Sequence, residues 1–226
     1  MAATFLTRVA LFQAVIPMQR TIFDTPVANT LLRMFSTTFL RLAGWKVDGA
    51  LPPGVGKCVL IAAPHTSNWD LPFTLMVAFK LRLHVYWMGK ESIFAPPFRG
   101  VMKWLGGIPV ARDRSSNVVA ASVEAIINAR HDLQLVVPPE GTRSKARYWK
   151  TGFYYIALGA NVPIVMAYMD YDRKLSGLGP VLYPSGDIDA DMSVIKTFYA
   201  PFKGKNAHQF DAKTGADVAS HEETKL

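Results

Sequence analysis

The chain has 226 residues, 50% of them hydrophobic and 19% charged, with a formal net charge of +8. That length suits one α/β domain with at most a small appendage, the apolar half excludes disorder, and the lone cysteine, Cys58, excludes an internal disulfide and a cysteine-based zinc cage. A pI near 9.6 beside a positive mean hydropathy of +0.15 suits a membrane surface better than a nucleic acid.

The charge is unevenly spread. Residues 1–112 contain twelve Lys+Arg and four Asp+Glu, the whole excess, while residues 113–226 are neutral. Within the basic half, Phe5 to Ile16 is apolar but much shorter than the ~20 residues of a spanning helix, and Arg8 interrupts it. No A-x-A pattern follows, which argues against a removed signal peptide. Val27 to Trp45 reads as an amphipathic helix. Ala28, Leu31, Leu32, Phe35, Phe39, Leu42 and Ala43 recur at helical spacing opposite Asn29, Arg33, Ser36, Thr37 and Arg41, and Gly44 closes it. Residues 1–50 are therefore expected to form an amphipathic helical pair in the lipid interface, with Arg8, Arg20, Arg33 and Arg41 near head groups. Simple packing of both helices on the domain is the plainer alternative.

Strands and helices alternate over residues 51–202. Lys57 to Ala63, Leu83 to Met88, Ile108 to Ala111, Leu133 to Val137, Pro163 to Met169 and Val181 to Tyr183 read as strands. Helices are expected near residues 72–81, 98–105, 116–130 and 152–158, with Asp191 capping a last one that runs to about Phe202. This pattern predicts an α/β domain with a mixed, largely parallel sheet flanked by helices. Residues 203–226 are polar and aperiodic, and a loose tail is expected there.

Two loops that follow strands carry chemistry. Pro64-His65-Thr66-Ser67-Asn68-Trp69-Asp70 offers a histidine with a carboxylate five residues on. A turn between them can set Asp70 against one ring nitrogen and leave the other free as a general base. A loop histidine beside a helix-capping Asp70 is the bland reading of the same residues. Pro139-Glu140-Gly141-Thr142-Arg143-Ser144 places a glycine among hydrogen-bond donors, an anion-binding turn or else a surface turn with a solvated arginine. Between them lies Gly106-Gly107-Ile108-Pro109-Val110-Ala111-Arg112.

Taken in order, H-x4-D, G-G-I-P-V-x-R, P-E-G-T-R-S and Val162-Pro163-Ile164-Val165 resemble the four sequence blocks of the glycerolipid acyltransferase family, whose members include the bacterial 1-acylglycerol-3-phosphate acyltransferases. The resemblance spans His65 to Val165. It implies an α/β domain behind an N-terminal helical membrane motif, and His65 as the base that deprotonates an acceptor hydroxyl with Asp70 as its partner. The hydroxyl attacks the thioester of acyl-CoA or acyl-carrier protein without a covalent acyl-enzyme, so Ser67 and Cys58 are not nucleophiles. It further implies acceptor binding by Glu140, Gly141, Thr142, Arg143 and Arg112, with Lys90 adding to the cationic pocket, and apolar stretches lining an acyl-chain tunnel. No cofactor is implied beyond the acyl donor as co-substrate. The implied partners are a lysolipid and a membrane surface, at the cytoplasmic face of a bacterial inner membrane.

The chain departs from the family pattern at Pro64, Pro138 and Ala111, all bordering the acceptor pocket, which keeps a lyso-aminolipid open as the acceptor. Tyr148-Trp149-Lys150 and Tyr154-Tyr155 form either a wall of that pocket or ordinary packing. Asp187, Asp189 and Asp191 resemble the start of a calcium loop, but Met192 and Phe198 stand where glycine and glutamate are needed. The other histidines show no metal spacing with His65, and no nucleic-acid recognition motif is present. The remaining alternatives are a non-catalytic lipid-binding protein, opposed by His65 and Asp70 being intact, and a thioester hydrolase, which would transfer the acyl group to water.

Overall fold

Lys57–Ala63 (β2) is a nearly unbroken apolar run, and such a run is stable as a strand only where both of its faces are covered. The computed structural model, which describes residues 20–110 and 115–212, places β2 at the centre of a seven-stranded sheet. The other strands are Lys46–Asp48 (β1), Val85–Lys90 (β3), Gly107–Val110 (β4), Leu133–Val137 (β5), Ile164–Asp170 (β6) and Leu175–Leu182 (β7). Their order is β1-β7-β6-β2-β5-β3-β4, and every neighbouring pair is parallel except the β6–β7 hairpin. The sheet is therefore mixed and largely parallel, as expected.

Alternation along β2 divides the domain into two layers. Cys58 and Leu60 face one core, shared with Pro26–Leu42 (α1), Asp70–Leu81 (α2) and Arg99–Trp104 (α3) through Leu32, Leu75, Phe79, Met102 and their neighbours. Val59, Ile61 and Ala63 face the other, shared with Ser115–Asn128 (α4), Gly152–Ala160 (α5) and Ile188–Tyr199 (α6) through Ile126, Phe153, Tyr154, Ile195 and Tyr199.

The amphipathic helix forms as α1, but its apolar arc is shared between two environments. Ala28, Leu32, Leu40 and Ala43 turn toward α2 and the core, whereas Val27, Leu31, Met34, Phe35 and Leu42 are exposed, Leu42 at 83%. Together these apolar positions span a wider arc than one helix neighbour can cover. No helix of the described residues is long and apolar enough to cross a membrane. Phe5 to Ile16, with Arg8, and residues 213–226 lie outside the described residues.

Four local expectations need correction. The N-cap of α6 is Asp187, whose carboxylate accepts from the Ala190 N–H at 3.0 Å. Asp191 is buried inside the helix, where it accepts from Tyr154 Oη at 2.9 Å and from the Ser185 N–H at 2.7 Å. Strand β7 runs from Leu175 to Leu182, beginning well upstream of the expected Val181 to Tyr183, because the hairpin with β6 and the parallel pairing with β1 supply its partners. β1 lies within residues 1–50; three residues are too few to show a periodicity. Residues 203–212 share the polar character of the tail yet are held against the loops described next.

Candidate functional site

β2 and β5 are parallel neighbours, in register from Lys57 opposite Leu133 to Ile61 opposite Val137. The segments after Ala63 and Val137 therefore leave the sheet side by side at its carboxyl edge, the edge where open α/β sheets bind ligands. These are the two loops singled out from the sequence.

In the first loop, Asp70 is the opening residue of α2 and the chain from His65 to Trp69 turns back over it. Asp70 Oδ2 accepts from the backbone N–H of Thr66 at 2.8 Å and of Ser67 at 2.9 Å, and lies 3.1 Å from His65 Nδ1. Tyr171 Oη donates to the other carboxylate oxygen at 2.9 Å. Four donors thus fix the carboxylate, and the carboxylate fixes the ring: Nδ1 carries the proton and Nε2 keeps its lone pair. Among the described residues Nε2 has no hydrogen-bond partner, and the His65 side chain is 20% exposed. The carboxylate is far less exposed, so the pair is a base open on one side only. Ser67 Oγ accepts from the Trp69 N–H at 3.2 Å and shapes the turn. Cys58 is fully buried in β2, and burial pushes its thiol up to about 12, so it supplies no thiolate near neutral pH.

In the second loop, Gly141 adopts φ +63°, and an added Cβ would sit 3.2 Å from the Lys150 side chain. Glycine is what lets the chain turn there. Glu140 is buried, and its Oε1 accepts from the His65 N–H at 2.9 Å, so the second loop braces the backbone of the first. Burial raises the Glu140 carboxyl to about 7 against the opposing effect of that hydrogen bond, and Oε2 has no hydrogen-bond partner among the described residues. Thr142 is half-buried and accepts from the Ser144 N–H, while Arg143, Lys145, Arg147 and Lys150 are exposed along the same loop. In the sequence this basic run is diluted by the neutral balance of residues 113–226, so it does not stand out there.

Beneath the pair lies a pocket between the sheet and α2. His65 and Asp70 are among its lining residues, and Leu60, Ala62, Val77, Ala78, Val136 and Leu178 are among its apolar walls. Small side chains at Ala62 and Ala78 leave the space that larger ones would fill.

Of the residues expected from sequence, His65 contacts both Asp70 and Glu140, with Gly141, Thr142 and Arg143 continuing the second loop. Lys90 ends β3, two strands away from β2 on the same edge, and is exposed. Arg112 lies outside the described residues. Trp149 and Tyr154 are buried in the core shared with α4–α6, and are packing there. Tyr171, Asn206 and Gln209 touch the loops from distant parts of the sequence and were not anticipated; no local pattern marks them. Among the described residues no cluster of three or more His, Cys, Asp or Glu is arranged to hold a metal.

Fold and site together define an α/β protein with a carboxylate-held histidine lining an apolar slot. Comparison with known proteins agrees. A family model described as acyltransferase matches residues 45–170, and the chain belongs to the acyltransferase family. It is 32% identical over 143 residues to the 1-acyl-sn-glycerol-3-phosphate acyltransferase of Salmonella typhimurium, covering 58% of this chain and 56% of that protein. The enzyme of the same name from Haemophilus influenzae is 27% identical over 133 residues, covering 55% of this chain and 53% of that one. This chain thus spans about half the length of the curated relatives it matches. The crystal structure of the 1-acyl-sn-glycerophosphate acyltransferase PlsC from Thermotoga maritima shares the fold, with a TM-score of 0.52 at 14% identity, covering 86% of this chain and 88% of that one.

Proposed function

We propose that this protein is an O-acyltransferase that moves a fatty acyl group from acyl-CoA or acyl-carrier protein to the hydroxyl of a lysolipid, 1-acylglycerol-3-phosphate first among the candidates. The observation that carries the reading is the pairing of His65 Nδ1 with Asp70 in the lining of an apolar slot. A hydroxyl placed at Nε2 gives up its proton as its oxygen attacks the thioester carbonyl. The carbon–sulfur bond breaks, an ester forms, and the departing thiolate takes up the proton from His65, which regenerates the base. Asp70 stabilises the imidazolium in between. A thiol with a pKa near 8.5 leaves without much acid assistance, so the base is the main requirement.

The slot takes the apolar chain, and the cationic loop from Arg143 to Lys150, with Gly141 and Thr142, takes the anionic head group. Lys90 adds positive charge at the same edge, and Glu140 holds the two loops together. The exposed apolar stripe of α1, with Arg33 and Arg41, supports peripheral contact with an anionic bilayer; the cytoplasmic face of that bilayer and a role in membrane lipid synthesis complete the proposal.

The test is an acceptor screen with the purified protein, read by mass spectrometry, using lysophosphatidic acid and lyso-aminolipids as acceptors and both thioesters as donors. Ester formed on lysophosphatidic acid supports the proposal; ester on a lyso-aminolipid alone moves the acceptor class, and release of free fatty acid alone makes the protein a thioesterase. His65→Ala should lower transfer by ~10³-fold or more while the fold persists, in keeping with the usual contribution of a positioned base. Transfer at the wild-type rate in that variant overturns the mechanism.

A further inference from the structure

The family match ends at residue 170, yet much of what holds the His65–Asp70 pair comes from beyond it. Thr66, between the two loop ends, is buried and tied on both sides. Its N–H donates to Asp70. Its carbonyl accepts from Asn206 Nδ2 at 2.8 Å, and its hydroxyl accepts from the Asn206 N–H at 3.2 Å. Gln209, with its amide nitrogen turned inward, donates to the same Thr66 carbonyl at 3.0 Å and to the Arg143 carbonyl at 2.7 Å, so it spans both loops. The segment is itself anchored. The Tyr171 N–H donates to the Lys203 carbonyl at 3.0 Å, Phe210 packs on Trp149, and Ala212 is buried in the core. Contact is close enough that a Cβ at Gly204 would fall 2.5 Å from Thr66 Oγ1.

We propose that Asn206 is a positioning residue for the His65–Asp70 pair, and that residues 203–210 form a clamp that completes the acyl-transfer site from outside the family-matched region. The backbone amides of Thr66 and Ser67 are half of the donors that fix Asp70. A Thr66 carbonyl released from Asn206 lets that peptide rotate, and the Asp70 carboxylate and the imidazole it holds then lose their shared alignment. Gln209 extends the restraint to the loop with Arg143, so one short segment sets the distance between base and head-group site.

The proposal rests on the acyl-transfer reading, and the test separates the two. Asn206→Ala should lower kcat about tenfold with the KM for donor and acceptor unchanged. Gly204→Ala, which wedges the clamp away from Thr66, should lower it similarly. Asn206→Asp keeps the shape, removes the donor and brings a negative charge toward the pair; it should lower kcat and move the acidic limb of the kcat/KM profile to higher pH. NMR titration of the His65 ring, which needs no turnover, should show a shifted pKa in Asn206→Asp and a broadened Nδ1–H signal in Asn206→Ala. Unchanged ring signals in both variants overturn the clamp even if the protein proves not to be an acyltransferase. Wild-type kcat in Asn206→Ala, or a loss that merely tracks a lowered melting temperature, overturns it as well. An inactive wild type with His65 signals that respond as stated sinks only the acyl-transfer reading.

Discussion

The two faces of one sheet are built to opposite ends from alternate residues of the same strands. On the face covered by α4–α6, Phe153, Tyr154, Ile126, Ile195 and Tyr199 are fully buried, and Tyr199 Oη lies 2.8 Å from both the Ile61 and Ala167 carbonyls, which share its one proton. That face is closed. On the face covered by α1–α3, small residues such as Ala62 and Ala78 leave the slot that His65 and Asp70 help to line. The difference teaches how one sheet can serve two ends: large side chains fill one face, and on the other small ones leave the space that the proposed acyl chain would take.

Mutations can break this contrast in order of expected size. Phe153→Ala, on the closed face, should destabilise the protein by about 3–5 kcal/mol, as large-to-small changes in a full core do, while the remaining folded fraction keeps its kcat. Chemical denaturation with parallel activity assays checks both halves. Glu140→Gln tests the brace between the loops. The wild-type carboxyl binds its proton more tightly folded than unfolded, so its contribution is complete below about 4.5 and is lost as pH rises through about 7. Over that window the wild type should lose about 3 kcal/mol from this group, which the variant should not. Melting curves between pH 4.5 and 8 read the growing advantage of the glutamine. Ala62→Leu, on the open face, should fill the slot and reduce turnover of long-chain donors about tenfold, about 1.4 kcal/mol, while short-chain donors and stability change little. Equal loss with both chain lengths would mean that the acyl chain lies elsewhere. The smallest effect is expected outside the core: Leu31→Glu with Phe35→Glu should weaken sedimentation with anionic vesicles several-fold and leave kcat on detergent-dispersed substrate unaltered.

Much of the site was legible because its chemistry is local. His65 and Asp70 are five residues apart in one turn, and Glu140 to Arg143 are contiguous. Each group follows an apolar run whose end is visible in the sequence, and the periodicity of α1 needed no partner to be seen. What was not legible depends on meetings across the chain. Tyr171 and Asn206 lie 101 and 140 residues from the groups they hold. They sit in short polar stretches without a repeat, so nothing in their surroundings distinguishes them from solvent-facing residues. The division of the α1 arc follows the same rule, since periodicity gives a helix its apolar side but not how much of that side a neighbour will cover.

The sequence by itself thus determined the α/β class, the strand–loop units that present the histidine, the aspartate and the E-G-T-R turn, and the concentration of positive charge in the first half. These follow from side-chain period and turn chemistry, which act over a few residues. The tertiary structure alone decided that β2 and β5 lie side by side, that Glu140 spends its carboxylate on the His65 backbone, and that a polar stretch near the C-terminus closes over both loops. Those outcomes require two backbone segments to be brought within hydrogen-bonding distance by the sheet, and no local propensity encodes that distance.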